Sequence, residues 1–188
     1  MNRSILLSIC TLLLFCVACE QEWVEPYETY TIKKGEHWST YRQSSLQSDN
    51  LDFTAVFDES AIYQCEIAEN QYDINKLFGF SDCNSMHHDN SARFGWCWTN
   101  NQLEVHAYCY VDGARITQLI GAVALNEPSN YSLEVTESQY IFKLDQYPSV
   151  SIDRGSVCNV GVYYMLYPYF GGNESAPHDI SIQLRVDY

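Results

Sequence analysis

Residues 91–113 have the sequence SARFGWCWTNNQLEVHAYCYVDG, and this stretch decides the fold. From position 103 onward apolar and polar residues alternate, which is typical of a strand with one face in a hydrophobic core. The segment 93–99 predicts a partner strand. Asn100-Asn101 favours a tight turn between the two strands, because asparagine tolerates a positive φ. The stretch therefore predicts a β-hairpin, and Asp112-Gly113 predicts the turn that follows it.

A two-residue turn fixes which hairpin residues share a face. A turn longer by one residue would exchange the two faces. With the short turn, Gly95 lies opposite His106 and leaves a gap above the imidazole. The core-facing residues are expected to be Phe94, Trp96, Trp98, Leu103, Val105, Ala107, Cys109 and Val111. The outward-facing residues are expected to be Arg93, Cys97, Glu104, His106, Tyr108 and Tyr110.

The outward face of the hairpin combines aromatic rings with planar hydrogen-bonding groups. The apolar face of a sugar ring stacks on a phenol ring, while guanidinium, carboxylate and imidazole groups bind its hydroxyls. We therefore predict a ligand-binding surface here. The alternative is that another layer of the protein simply packs on this face. The predicted binding residues are Arg93, Glu104, His106, Tyr108 and Tyr110.

A second aromatic segment, YYMLYPYFGG, occupies residues 163–172 and is followed by a polar loop. Glycines after aromatic residues let a ligand approach the backbone closely, so the segment predicts one rim of a cleft. We add Tyr167, Tyr169 and His178 to the predicted ligand-binding residues. The alternative is a buried strand followed by a tight turn.

Most of the remaining chain also predicts short strands separated by turn-forming residues. Segment 70–80 is the one stretch with helical spacing of its apolar residues. For residues 28–188 we predict a single all-β domain, an antiparallel two-sheet sandwich with jelly-roll topology, and a closed barrel is the alternative. The other predicted strands lie at 30–32, 38–42, 51–57, 61–67, 115–123, 131–135, 140–144, 148–152, 160–167 and 180–186, with a bulge near Gly121.

The N-terminus has the features of an export signal. A short basic start precedes an apolar run at 5–17, which is too short to span a bilayer comfortably. The run ends in Cys16-Val17-Ala18-Cys19, which resembles the bacterial lipoprotein signal. The resemblance implies cleavage after residue 18, lipidation of Cys19 and anchoring to the outer membrane or cell surface of a bacterial envelope. Residues 19–27 are predicted to form an acidic tether, because the segment is rich in acids and shows no periodicity. An ordinary cleaved signal is the alternative.

The composition of the chain limits the ligands that the protein is expected to bind. The chain has 10 basic and 24 acidic residues, a net charge of −14, which argues against binding nucleic acid. Export would permit disulfides among Cys65, Cys83, Cys97, Cys109 and Cys158. Histidines and acids at 82, 87–89 and 178–179 could ligate a metal, but their spacing matches no metal motif. We predict no metal site and no cofactor.

The sequence is compatible with three kinds of function. The strand pattern, aromatic content and export signal resemble the concanavalin-like jelly rolls with which bacteria bind or cut polysaccharides. We expect a lipid-anchored protein that binds a polysaccharide or oligosaccharide without turning it over. The first alternative is a polysaccharide lyase or glycoside hydrolase that uses the same face. A lyase needs a tyrosine or histidine base and an arginine or lysine that neutralises a uronate. The residue types present on this face would fit those roles: Arg93, His106 and Tyr108. The second alternative is a structural or adhesion lipoprotein.

Overall fold

The computed structural model describes residues 25–40, 42–155 and 163–187. Two six-stranded antiparallel sheets form a sandwich, with order β1-β12-β3-β8-β9-β10 in the first sheet and β2-β11-β4-β5-β6-β7 in the second. The predicted two-sheet β-sandwich is therefore confirmed. The strands are β1 (Glu28–Ile32), β2 (Ser45–Leu46), β3 (Asn50–Phe57), β4 (Asn75–Ser81), β5 (Ser91–Thr99), β6 (Gln102–Val111), β7 (Ala114–Val123), β8 (Ser129–Val135), β9 (Gln139–Leu144), β10 (Val150–Asp153), β11 (Tyr163–Leu166) and β12 (Ile180–Asp187).

The core lies between the two sheets, where one face of nearly every strand is buried. Rings from both sheets meet there, for example Phe53 of the first sheet edge-on to Phe78 and Phe94 of the second. Trp96 is completely buried among them. Alternation along each strand leaves the opposite face of each sheet outside this core.

The central hairpin has the predicted turn and register. Asn100 and Asn101 both have positive φ, 51° and 58°, as a tight hairpin turn requires. Strand β5 pairs with β6 so that Arg93 lies opposite Tyr108 and Cys97 opposite Glu104. The predicted bulge is also present, because the register between β6 and β7 shifts beside Gly121.

Three local predictions are wrong. Segment 70–80 is not a helix but a short 3-10 turn, Ala68–Tyr72, followed by strand β4. Segment 61–67 is not a strand, since it follows a 3-10 turn at Glu59–Ala61 and contains no strand residues. The described residues of segment 38–42 contribute an isolated bridge between Trp38 and Tyr169 and no strand. In segment 70–80 the spacing of the apolar residues fits a helix or a strand, and pairing with β5 decides for the strand.

The signal, Cys19 and most of the tether lie outside the described residues, as does Cys158. Within the described ranges, no helix is long and apolar enough to cross a membrane. Cys65, Cys97 and Cys109 are free thiols.

Candidate functional site

A cleft of about 610 Å³ opens on the outward face of the second sheet. Strands β4, β5, β6 and β7 supply its floor, and the loops after β4 and β11 supply its walls. We call it the cationic cleft because of the side chains that line it. These are Asp73, Lys76, His87, His88, Arg93, Tyr108, Tyr110, Arg115, Tyr169, Gly172 and Asn173.

Arg93 lies on the floor of the cationic cleft and is only 6% exposed. Its Nε is buried and has no hydrogen-bond partner in the described part of the chain. Its guanidinium lies over the Tyr108 ring, 5.2 Å from the ring centroid. Burial lowers the pKa of Arg93, but a guanidinium stays protonated at neutral pH. A buried cation without an anionic partner is costly, so the floor is prepared for an anionic ligand.

Lys76 is the second cation of the floor. Its Nζ lies 4.8 Å from the centroid of Tyr108 and 5.7 Å from that of Tyr169. Burial, with the nearby charges of Arg93 and Arg115, lowers the pKa of Lys76 to about 8. Among the described residues, no carboxylate forms an ion pair with Lys76, Arg93 or Arg115.

The floor and the walls of the cationic cleft both carry groups that can transfer protons. Burial, followed by the neighbouring Tyr110, raises the pKa of Tyr108, so its phenol is protonated at neutral pH. Burial, with the charge of Arg93 and the adjacent His88, lowers the pKa of His87, so its imidazole is neutral. The ring of His88 lies edge-on to Tyr110, 5.3 Å between centroids. A neutral imidazole and a protonated phenol are a base and an acid in one site.

Four of the eight predicted binding residues line this cleft together: Arg93, Tyr108, Tyr110 and Tyr169. Glu104 and His106 share the same sheet face but lie outside the cleft, next to Cys97. The expected gap above Gly95 is occupied, because a Cβ there would collide with Ile74 Cγ2. The Ile74 side chain therefore fills the space in which the gap was expected.

The other two predicted residues lie elsewhere. Tyr167 lines a separate cavity of about 360 Å³, stacks on Tyr30 and shares a 2.6 Å hydrogen bond with Ser44. The His178 ring is hydrogen-bonded through Nε2 to the Ser60 carbonyl at 2.8 Å and lines neither cavity. These contacts give both side chains a role in holding loops together.

Seven lining residues were not predicted as ligand-binding residues from the sequence, among them the basic side chains and histidines Lys76, His87, His88 and Arg115. Lys76 lies in segment 70–80, which the sequence predicts as a helix. Its position on the sheet face depends on the pairing of β4 with β5, which only the structure shows. The two histidines were considered only as metal ligands. Arg115 follows the predicted Asp112-Gly113 turn, so its return onto the face beside Tyr110 could have been inferred from the hairpin.

Asp73 is the only carboxylate among the described residues that line the cationic cleft. A glycosidase of the usual kind needs two carboxyl groups facing one another across the scissile bond. The described lining therefore favours recognition of an acidic group over acid–base chemistry by paired carboxylates.

Comparison with known proteins identifies the fold. No family model and no curated protein sequence matches this chain. Among solved structures, the alginate lyase AlyC3 superposes with a TM-score of 0.58 at 11% identity, covering 86% of this chain and 74% of the lyase. An endo-1,3-β-glucanase catalytic domain from Thermotoga petrophila gives 0.55 at 9% identity, covering 85% and 76%.

A third neighbour, from work on endo-acting O-glycanases with which human gut bacteria initiate mucin breakdown, gives 0.56 at 11% identity, covering 92% of this chain and 85% of that one. At such identities the likeness establishes architecture alone. The chain has the jelly-roll sandwich fold that these polysaccharide lyases and glycoside hydrolases share.

Proposed function

We propose that the protein is a polysaccharide lyase that acts on a glycan containing uronic acid. The observation that supports this most directly is Arg93, a nearly buried cation on the floor of the cationic cleft with which no carboxylate of the described residues forms an ion pair. Lys76 and Arg115 line the same cleft, although the chain as a whole has a net charge of −14. Cations gathered against the overall charge favour an acidic ligand.

The reaction would be a β-elimination. A base removes the proton on C5 of the uronate, the C4–O bond breaks, and the electron pair forms a C4=C5 double bond. The departing sugar oxygen takes a proton from an acid. The carboxylate beside C5 gains negative charge as the proton leaves, so a cation held against it lowers the barrier.

The cationic cleft contains a residue type for each part of this reaction. Arg93 would bind the uronate carboxylate, since a guanidinium and a carboxylate are matched in charge and geometry. Neutral His87 would accept the C5 proton, and protonated Tyr108 would donate a proton to the leaving oxygen. Tyr169, 37% exposed at the edge, offers a ring on which a neighbouring sugar can stack.

The structural neighbours add support of a general kind. One solved form of the alginate lyase AlyC3 holds dimannuronate. The lining of the cationic cleft is less suited to hydrolysis, as described above. These points favour elimination over the hydrolytic chemistry of the glucanase neighbours, and over sugar binding without turnover.

The test is incubation of the protein with a panel of uronate polysaccharides, with neutral laminarin as the control substrate. A lyase creates an unsaturated uronate, which is followed by its ultraviolet absorbance. Arg93→Gln is expected to reduce the rate by about 100-fold or more, as for loss of one group that stabilises developing charge. Arg42→Gln, an exposed arginine outside the cleft, is the matched control.

Absence of unsaturated product from every uronate would contradict the proposal, as would full activity of Arg93→Gln. Tight binding of a uronate glycan without any product would instead support the sugar-binding alternative. Release of new reducing ends from laminarin at an equal rate would indicate hydrolysis and would contradict recognition of the acidic group.

We also propose that residues 1–18 are removed and that Cys19 is lipidated, on the resemblance of Cys16-Val17-Ala18-Cys19 to a lipoprotein signal. Mass spectrometry of the protein purified from bacterial membranes would detect diacylglycerol and acyl groups on Cys19. Cys19→Ser is expected to release the domain from the membrane fraction. Membrane retention of that variant would contradict the proposal.

A further inference from the structure

A second cluster of reactive side chains lies beside the cationic cleft on the same sheet face. Cys97 Sγ is 3.6 Å from His106 Nε2, and Glu104 Oε2 is 3.5 Å from the same nitrogen. The sulfur, the carboxylate oxygen and the nitrogen all lie within 4.8 Å of one another. None of the three residues lines the cleft, so the cluster has a separate place in the fold.

The register of the central hairpin brings these residues together. Cys97 of β5 lies directly opposite Glu104 of β6. His106 follows Glu104 by two residues, and residues two apart on a strand share a face. Both strands lie in the interior of the second sheet, between β4 and β7, and β6 pairs with β7 at both Glu104 and His106.

Two of the three separations between these atoms match tetrahedral coordination. Zinc binds cysteine sulfur at about 2.3 Å and histidine nitrogen or carboxylate oxygen at about 2.0–2.2 Å. At tetrahedral angles such bonds place neighbouring ligand atoms roughly 3.3–3.7 Å apart. The N–S and N–O separations of 3.6 and 3.5 Å fall in that range, and the sulfur and a carboxylate oxygen lie within 4.8 Å of each other.

The surroundings of Glu104 leave the required oxygen available. Gln102 Nε2 donates to Glu104 Oε1 at 3.1 Å, and Asn100 Nδ2 lies 3.5 Å from the same oxygen. These contacts orient the carboxylate so that Oε2 faces the imidazole. Such outer hydrogen bonds are a regular feature of metal-binding carboxylates.

The degree of burial suits a bound ion that also contacts water. The side chains of Glu104 and His106 are each 13% exposed, while Cys97 is buried at 2%. Burial lowers the pKa of His106, which keeps its ring nitrogen free to bind a metal at neutral pH. Burial, with the charge of Glu104, raises the pKa of the Cys97 thiol to about 12, so metal binding must release a proton.

We propose that Cys97, Glu104 and His106 bind a divalent transition-metal ion, for which Zn²⁺ is the best match, with water completing the coordination. Soft sulfur together with imidazole favours zinc over magnesium or calcium, which prefer oxygen ligands alone. The proposal stands independently of the lyase proposal, because it concerns different residues and a different ligand. It replaces the sequence-based expectation of no metal site.

The test is titration of the full-length, chelator-treated protein with Zn²⁺ and with Co²⁺. One equivalent of either ion is expected to bind. A Co²⁺–thiolate bond gives a charge-transfer absorption in the near ultraviolet, which only a sulfur ligand produces. Cys97→Ser should abolish that band, and Cys65→Ser, which removes a free thiol elsewhere, should leave it unchanged.

Thermal unfolding provides a second measurement. Zinc at 100-fold above its Kd is expected to raise Tm by roughly 5–10 °C, because it binds only the folded state. Glu104→Gln should lose most of this shift and still fold, since glutamine has nearly the same shape as glutamate and can keep a hydrogen bond with Gln102.

Three outcomes would overturn the proposal. The first is absence of stoichiometric binding by the folded wild-type protein. The second is a cobalt spectrum without the thiolate band. The third is metal affinity that persists in Cys97→Ser and Glu104→Gln, which would place the ion at the adjacent His87 and His88 instead. None of these outcomes bears on whether the protein eliminates uronates.

Discussion

Lys76 is the residue whose protonation state is most open to test. Burial and the charges of Arg93 and Arg115 lower its pKa to about 8, so the ammonium is lost as the pH rises through that value. An ordinary lysine would stay charged to about pH 10.4. We therefore expect affinity for an acidic oligosaccharide to fall about tenfold between pH 7 and 9.5, the worth of one charged hydrogen bond. Calorimetric titration at a series of pH values measures this.

The stability effect of Lys76 has the opposite sign. Between about pH 8 and pH 10 the unfolded chain holds a proton that the folded chain has released, so this group makes the free energy of unfolding rise with pH. Lys76→Arg keeps the charge and should remove the step in affinity. An identical pH dependence of binding in Lys76→Arg would show that another group is responsible.

Single residues of the cleft differ in how far the sequence could predict them. Alternation along β6 and the two-residue turn place Arg93, Tyr108 and Tyr110 on one face, because both signals are local. His106 was placed on the correct face, yet the structure separates it from the cleft. No local pattern could show that Ile74, from the neighbouring strand connection, packs over Gly95.

At the scale of elements, strands β4 and β5 lie close together at Gly79. A Cβ on this glycine would collide with the Ala92 carbonyl oxygen and lie 2.6 Å from Arg93 Cα. Gly79→Ala is therefore expected to lower the free energy of unfolding by about 3 kcal/mol, the upper range for overpacking. Because Gly79 pairs with Arg93, displacement of β5 should also weaken binding of acidic glycans. Urea unfolding and a binding titration measure the two effects.

Gly113→Asn is the matched control for Gly79→Ala. Gly113 has φ of 80° in a turn with open space around it, and asparagine tolerates that conformation. We expect little change in stability or binding. If Gly79→Ala were as stable as this control, the close approach of β4 and β5 would not be a constraint on the fold.

The elements themselves were predictable where their signals were local. The central hairpin and the β8–β9 hairpin follow from alternation and turn residues, and both are present. The error at 70–80 arose because Ile74, Leu77 and Phe78 fit a helix or a strand equally well. The contacts of Asn75 favour the strand, because its buried amide bonds to Tyr63 Oη and Gly171 N. These partners are distant in sequence, so the local pattern does not reveal them.

For the whole molecule, the class of fold was predictable and the order of strands was not. Many short alternating segments with turns between them indicate a sandwich. The position of β12 between β1 and β3 depends on contacts between the two ends of the chain, which leave no local trace. The sequence also could not predict that an acidic chain forms a cationic cleft. The three cations of the cleft lie on three different strands, which only the fold brings together: Lys76, Arg93 and Arg115.

One buried ionic contact joins the two sheets and predicts a property of the entire fold. Asp82, which directly follows β4 and is fully buried, accepts hydrogen bonds from Arg154 Nε at 2.6 Å and Nη2 at 2.9 Å. The Tyr140 hydroxyl of the first sheet donates to the same carboxylate at 2.6 Å. Asp82, considered from sequence as a possible metal ligand, is therefore committed to holding the sheets together.

Removing the arginine should leave the Asp82 carboxylate buried without its cation. We expect Arg154→Met to lower the free energy of unfolding by about 3–5 kcal/mol, as measured by urea denaturation, because an uncompensated buried charge is costly. Adding Asp82→Asn should restore part of the loss, since the neutral amide still faces Tyr140. Lys33→Met, which breaks the exposed pair with Asp179, should have no measurable effect. A loss of under about 1 kcal/mol in Arg154→Met would mean that solvent reaches Asp82 and that apolar packing alone holds the sheets together.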